Sequence, residues 1–129
     1  MQIRFSFVLV NDQEKALQFY TKILGFRKMA DLAFGDMRWL SVVSKEKDGG
    51  VELVLEPINF PPAKTYQKAL YKAGMPATSF QTNDIQKEFN KLKKHGVTFK
   101  GEPENFGLIT SVLFDDTCGN WINLVQANS

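Results

Sequence analysis

The chain repeats itself, and that constrains its fold more than any other feature. Asn11-Asp12-Gln13-Glu14-Lys15-Ala16-Leu17 resembles Asn83-Asp84-Ile85-Gln86-Lys87-Glu88-Phe89, 72 positions later (84 − 12). Leu24-Gly25-Phe26 answers to His95-Gly96-Val97, and Glu52-Leu53-Val54 to Asn123-Leu124-Val125, each 71 positions apart (96 − 25 and 123 − 52). Three matches at a near-constant offset indicate a duplicated supersecondary unit.

Each copy reads as βαβββ. Ile3 to Val10 is rich in aromatic and β-branched residues and predicts a strand. Asn11 is expected to cap the helix that follows, with Glu14 as its capping-box partner. Ala16, Leu17, Tyr20, Ile23 and Leu24 recur at helical spacing, and Gly25 supplies the stop. Strands are expected after Phe26, over Met37 to Ser44 and over Val51 to Glu56, with Asp48-Gly49-Gly50 as a hairpin turn. In the second copy, strands are expected at Ala77 to Thr82, Val97 to Lys100, Ile109 to Phe114 and Trp121 to Gln126. Asn83 and Gln86 rebuild the cap, Phe89 and Leu92 mark the buried face, and Gly96 ends the helix. The expected organisation is a first module at 1–60, a helical linker at 61–76 and a second module at 77–129. The fold class is α+β, two tandem βαβββ modules whose curved mixed sheets enclose a pocket.

Composition narrows the function. The 129 residues are 43% hydrophobic and 23% charged, which fits a globular protein with one shared core. A net charge of +2 is too weak for a nucleic-acid partner. The basic run Lys91 to His95 complements the dipole at a helix end. The longest apolar run, Phe7 to Val10, is too short for a membrane span. Met1 to Arg4 lacks a signal-peptide pattern, and the single Cys forms no internal disulfide, so a cytoplasmic location is expected.

Strand alternation sorts the faces. Phe5, Phe7 and Leu9 share one face. Val51, Leu53 and Leu55 are expected against the helices, leaving Glu52, Val54 and Glu56 on the concave side. Ile122 and Leu124, with Thr78 and Phe80, face the helices. Trp121, Asn123 and Val125, with Ala77, Ser79 and Gln81, face inward. Large rings beside a few polar groups are the usual lining of a small-molecule pocket. A solvated sheet face or a dimer interface is the plainer reading, and the rings argue against the first. Alternation over Met37 to Ser44 is ambiguous and leaves the directions of Arg38 and Trp39 open.

On Asp12 to Phe26 (DQEKALQFYTKILGF), Val51 to Pro57 (VELVLEP) and Asp115 to Val125 (DDTCGNWINLV), the chain resembles the vicinal oxygen chelate superfamily. That superfamily includes glyoxalase I, bleomycin-resistance proteins and extradiol dioxygenases, and the likeness is to a small bacterial glyoxalase-like group. It implies two βαβββ modules around a pocket, and commonly a homodimer. Metal-dependent members place one ligand on the first and one on the fourth strand of each module. Here those positions are Phe5, Glu52, Ala77 and Asn123. Phe5 and Ala77 have no donor atoms, and Glu56 lies roughly 13 Å along the strand from Glu52. No metal and no other cofactor is expected. Glyoxalase and dioxygenase chemistry, which need the ion, are not expected either.

Glu52 is the foremost candidate for function. In an apolar pocket its pKa would rise by desolvation, fitting it as a general base or as an anchor for a ligand amine or hydroxyl. The alternative is a structural pair with Arg38 or another cation. Cys118 has no evident base beside it and reads as inert. His95 is expected at a helix end, Tyr20 in the core, and Asp116 and Asn120 in the shaping of a turn. Tyr66 in the linker is expected at a pocket mouth or subunit interface. Three functions follow: metal-independent binding of a small organic ligand, a metal-free isomerase or lyase using Glu52, or a protein-interaction module. The expected ligand contacts are Phe5, Phe7, Trp39, Glu52, Val54, Glu56, Ala77, Ser79, Gln81, Trp121 and Asn123.

Overall fold

The computed structural model describes residues 1–46 and 50–129. Asp48 and Gly49 of the expected turn lie outside the described residues. The chain divides into two compact units, Met1–Tyr66 and Gln67–Ser129.

The first unit holds strands β1 (Phe5–Val10), β2 (Arg27–Phe34), β3 (Met37–Val43) and β4 (Glu52–Pro57), and helix α1 (Gln13–Gln18). Its sheet is open and mixed, in the order β1-β4-β3-β2, with β1 parallel to β4 and the remaining pairs antiparallel. The second unit repeats this with β5 (Pro76–Gln81), α3 (Ile85–Lys94), β6 (Phe99–Asn105), β7 (Ile109–Asp115) and β8 (Trp121–Ala127), in the order β5-β8-β7-β6. Helix α2 (Pro61–Ala73) carries the division between units within its length. It begins at Pro61, where a missing N–H costs nothing. The architecture is α+β, two tandem βαβββ modules with curved mixed sheets.

The helix caps correct the sequence reading by one residue. Asp12, and not Asn11, caps α1, its carboxylate accepting from the Lys15 amide at 3.0 Å. Asp84, and not Asn83, caps α3 through the Lys87 amide at 3.1 Å. An ionised carboxylate is the stronger acceptor at the positive end of a helix. α1 does not run on as a regular helix. It widens into a π-helical turn at Phe19–Ile23, where the Leu24 amide bonds the Phe19 carbonyl. The turn buries the neighbouring rings Phe19 and Tyr20 together, and Gly25 then closes it with φ of +85°. β6 starts at Phe99, two residues beyond the expected Val97, because Val97 is still bonded back to Leu92 at the end of α3.

Each unit has its own core. In the first, Val8, Val10, Leu40, Val42 and Leu55 line the sheet face that meets Ala16, Leu17 and Tyr20. Gln13 ties α1 to that sheet, donating to the carbonyls of Arg38 (2.8 Å) and Leu55 (2.9 Å). In the second, Ile85, Phe89 and Leu92 pack with Phe114, Ile122 and Leu124. The Ile85 amide donates to Gln126 on β8 at 2.8 Å.

Candidate functional site

The register of the first sheet builds one aromatic face. Phe5 lies opposite Glu52, Phe7 opposite Val54 and Leu9 opposite Glu56. On β3, Ser41 lies opposite Val54, so Met37, Trp39 and Ser41 share that face. This settles Trp39. Its ring meets Phe5 edge-on at 5.5 Å and Phe7 at 6.0 Å between centroids. Arg38 points to the other face, where Nε and Nη2 grip both oxygens of Asp31 (3.0 and 2.8 Å) and Nη1 donates to Glu14 at 2.9 Å. Hydrogen bonds from Arg38 hold the Asp31 carboxyl below its ordinary value. Those from Gln18 and then Arg38 do the same for Glu14.

A hollow of about 490 Å³ opens on the aromatic face. Phe7, Trp39 and Val54 form its floor. Phe34 and Met37 come from the β2–β3 hairpin, and Glu56, Pro57, Asn59 and Phe60 from the end of β4 and the loop beyond. Its volume falls within the range of small-molecule sites. Of the expected contacts, Phe7, Trp39, Val54 and Glu56 meet here, and Phe5 flanks Trp39. Phe34, Met37, Asn59 and Phe60 were missed. The hairpin signal was present: Gly35-Asp36 is a two-residue turn, Gly35 has φ of +62°, and Phe34 therefore lies opposite Met37. A second depression, of about 560 Å³, is walled by side chains of α3 and its caps alone, among them Asp84, Asn90 and His95. It lacks the apolar floor of the first.

Glu52 does not stand in an apolar pocket. It is only 6% exposed, and both its oxygens are engaged. Arg4 Nε donates to Oε2 at 3.1 Å and Ser41 Oγ to Oε1 at 2.7 Å. A cation does pair with it, as the structural alternative required, but that cation is Arg4 and not Arg38.

The second sheet does not copy the register of the first. Asn123 lies opposite Ser79, and Ala77 falls at the irregularity between Pro76 and Thr78. Ser79 and Gln81 are exposed on β5. Trp121 is held from one side: its ring stacks on Tyr71 at 5.1 Å, its Nε1 donates to the Tyr71 carbonyl, and Lys100 Nζ lies 5.4 Å from the ring centre. The Tyr71 hydroxyl donates to Asp115 at 2.5 Å, and that carboxylate, with burial, pushes the phenol up to about 12. Asp116 organises the turn before β8 by accepting from the amides of Cys118 and Asn120. Gln67 closes over that turn, donating to the Cys118 carbonyl and Asn120 Oδ1. Cys118 is fully buried there, and His95 caps the exposed end of α3.

These residues do not fit a divalent ion. Phe5 and Ala77 offer no donor, Glu52 is committed to Arg4 and Ser41, and Asn123 brings a single neutral oxygen. No group of three or more His, Cys, Asp or Glu side chains suited to a metal occurs among the described residues.

The model of the Glyoxalase/Bleomycin resistance protein/Dioxygenase superfamily matches residues 3–124. The chain belongs to that superfamily. Within this glyoxalase/bleomycin-resistance superfamily, it is 50% identical over 126 residues to YurT of Bacillus subtilis (strain 168), itself uncharacterized, covering 98% of this chain and 99% of YurT. Among solved structures it is similar to UcmS2, with a TM-score of 0.83, 28% identity and 97% of each chain covered. It is also similar to TnmS3, described as an antibiotic binding protein from Streptomyces sp. CB03234, with a TM-score of 0.75 and 30% identity. That match covers 99% of this chain and 97% of TnmS3. No helix among the described residues is long and apolar enough to cross a membrane.

Proposed function

We propose that this superfamily member binds a small organic molecule in the hollow of its first sheet, without a metal, as a cytoplasmic homodimer. The observation that carries the reading is the hollow itself. Phe7 and Phe60 are 50% and 67% exposed around it, so large rings are kept open where folding alone would cover them. The likeness to TnmS3 supports a role of the same class. A general-base role for Glu52 is not favoured, since Arg4 and Ser41 already engage both oxygens of its carboxylate and leave none for a substrate proton.

The test is a thermal-shift screen of the purified protein against aromatic metabolites and antibiotics, with and without EDTA. One chemical class is expected to raise the melting temperature, since a ligand at a hundred times its Kd adds about 2.7 kcal/mol. EDTA is expected to change nothing, and Trp39→Ala to remove the shift while circular dichroism stays native. A melting temperature lowered by EDTA and restored by a metal would sink the metal-independent reading.

A further inference from the structure

Arg38 and Glu56 are the charged residues that border the hollow, and their side chains differ. Arg38 is fully committed on the opposite face, with its guanidinium between the carboxylates of Asp31 and Glu14. Glu56 is exposed and has no cation and no hydrogen-bond donor among the described residues. The uncompensated charge at the hollow is therefore negative. The rings of Phe7, Phe34, Trp39 and Phe60 act in the same direction, because aromatic faces attract cations. An anionic ligand would be repelled by Glu56, and a neutral one would gain no charge contact from it.

We infer that the ligand is an organic cation, an amine or quaternary ammonium on a flat apolar body, with Glu56 as its counter-ion. This rests on reading the hollow as the ligand site and names the chemistry that site selects. The body lies against the rings, and the cationic head reaches the mouth where Glu56 stands. A carboxylate at the rim of an apolar hollow gives selectivity by charge, while the rings supply most of the affinity.

The experiment uses the full chain and three flat fluorescent probes: acridine orange as cation, anilinonaphthalene as neutral body, and anilinonaphthalene sulfonate as anion. Fluorescence titration is expected to rank them cation, neutral, anion, with the cation at least about tenfold tighter than the neutral probe. Glu56→Gln is expected to bring the cation within about twofold of the neutral probe, whose own affinity stays unchanged. Trp39→Ala is expected to weaken all three. Equal binding of cation and neutral probe, or a preference that survives Glu56→Gln, overturns the cation assignment and leaves the hollow as a binding site. Binding that ignores Trp39→Ala, or no binding of any probe at millimolar concentration, overturns the hollow and the cation with it.

Discussion

Glu52 is the buried carboxylate of the first unit among its described residues, and its surroundings decide what it does. Replacing it with Gln removes a charge-assisted bond to Arg4 and weakens that to Ser41. The expected loss is about 1–3 kcal/mol of unfolding free energy in urea titrations, with probe affinity in the hollow little changed. A variant with full stability and no ligand binding would instead make Glu52 a contact residue. Tyr71→Phe is expected to cost about 1 kcal/mol and to remove from the absorbance titration a phenol that ionises near pH 12. Identities at this scale were only partly legible in the sequence. Alternation exposed the Phe5, Phe7, Glu52 and Glu56 face, because strand parity is a local property. The partner of Glu52 was not legible, because Arg4 reaches it across the β1–β4 pairing from 48 positions away. Trp39 and Arg38 sit in a strand buried on both faces at its end, so hydrophobicity could not assign their directions.

At the scale of elements, the repeat made both modules readable, and caps and strand ends carried the errors. Asn-Asp pairs precede both helices, and either residue could cap. The structure chose Asp twice, so the choice belongs to the repeated unit. Asp12→Ala and Asp84→Ala are each expected to lower stability by about 1 kcal/mol, read by chemical denaturation. The Arg38 clamp joins α1, β2 and β3 and predicts an acid limb. Asp31 and Glu14 titrate below their ordinary values, so their contribution is present above the usual carboxylate range and is lost as pH falls through the lowered values. Arg38→Met should therefore lower the melting temperature at neutral pH and flatten its fall on acidification below the usual carboxylate range. The effect is modest, since both carboxylates face solvent. The two edge strands on the same side of each module differ. β6 carries Lys100, Gly101, Glu102, Pro103 and Glu104 with a register irregularity, all of which discourage pairing with another strand. β2 also has charges (Arg27, Lys28, Asp31) and a register irregularity at Met29, but it leaves Met29, Leu32 and Phe34 exposed.

At the scale of the whole molecule, the exposed apolar side chains of β2 agree with association of two copies. Light scattering at micromolar concentration is expected to give twice the subunit mass of 14.6 kDa, and a single-subunit mass would remove the homodimer from the reading. The duplication was visible in sequence because the helix starts and the last strands keep matching residues in both copies. The differing β5–β8 register was not, because a two-residue slip keeps every side chain on its own face and leaves the hydrophobic pattern intact. The Arg4–Glu52–Ser41 cluster also bears on the history of such a chain. A histidine arising at position 5 would find its neighbouring carboxylate already taken. Losing Arg4 first would strand that carboxylate below the surface at a cost of roughly 1–3 kcal/mol, before any ion could compensate. Neither step is favoured without the other. The ion pair thus works against a metal ligand at position 5, because the carboxylate that would share the ion is already bound to Arg4 and Ser41.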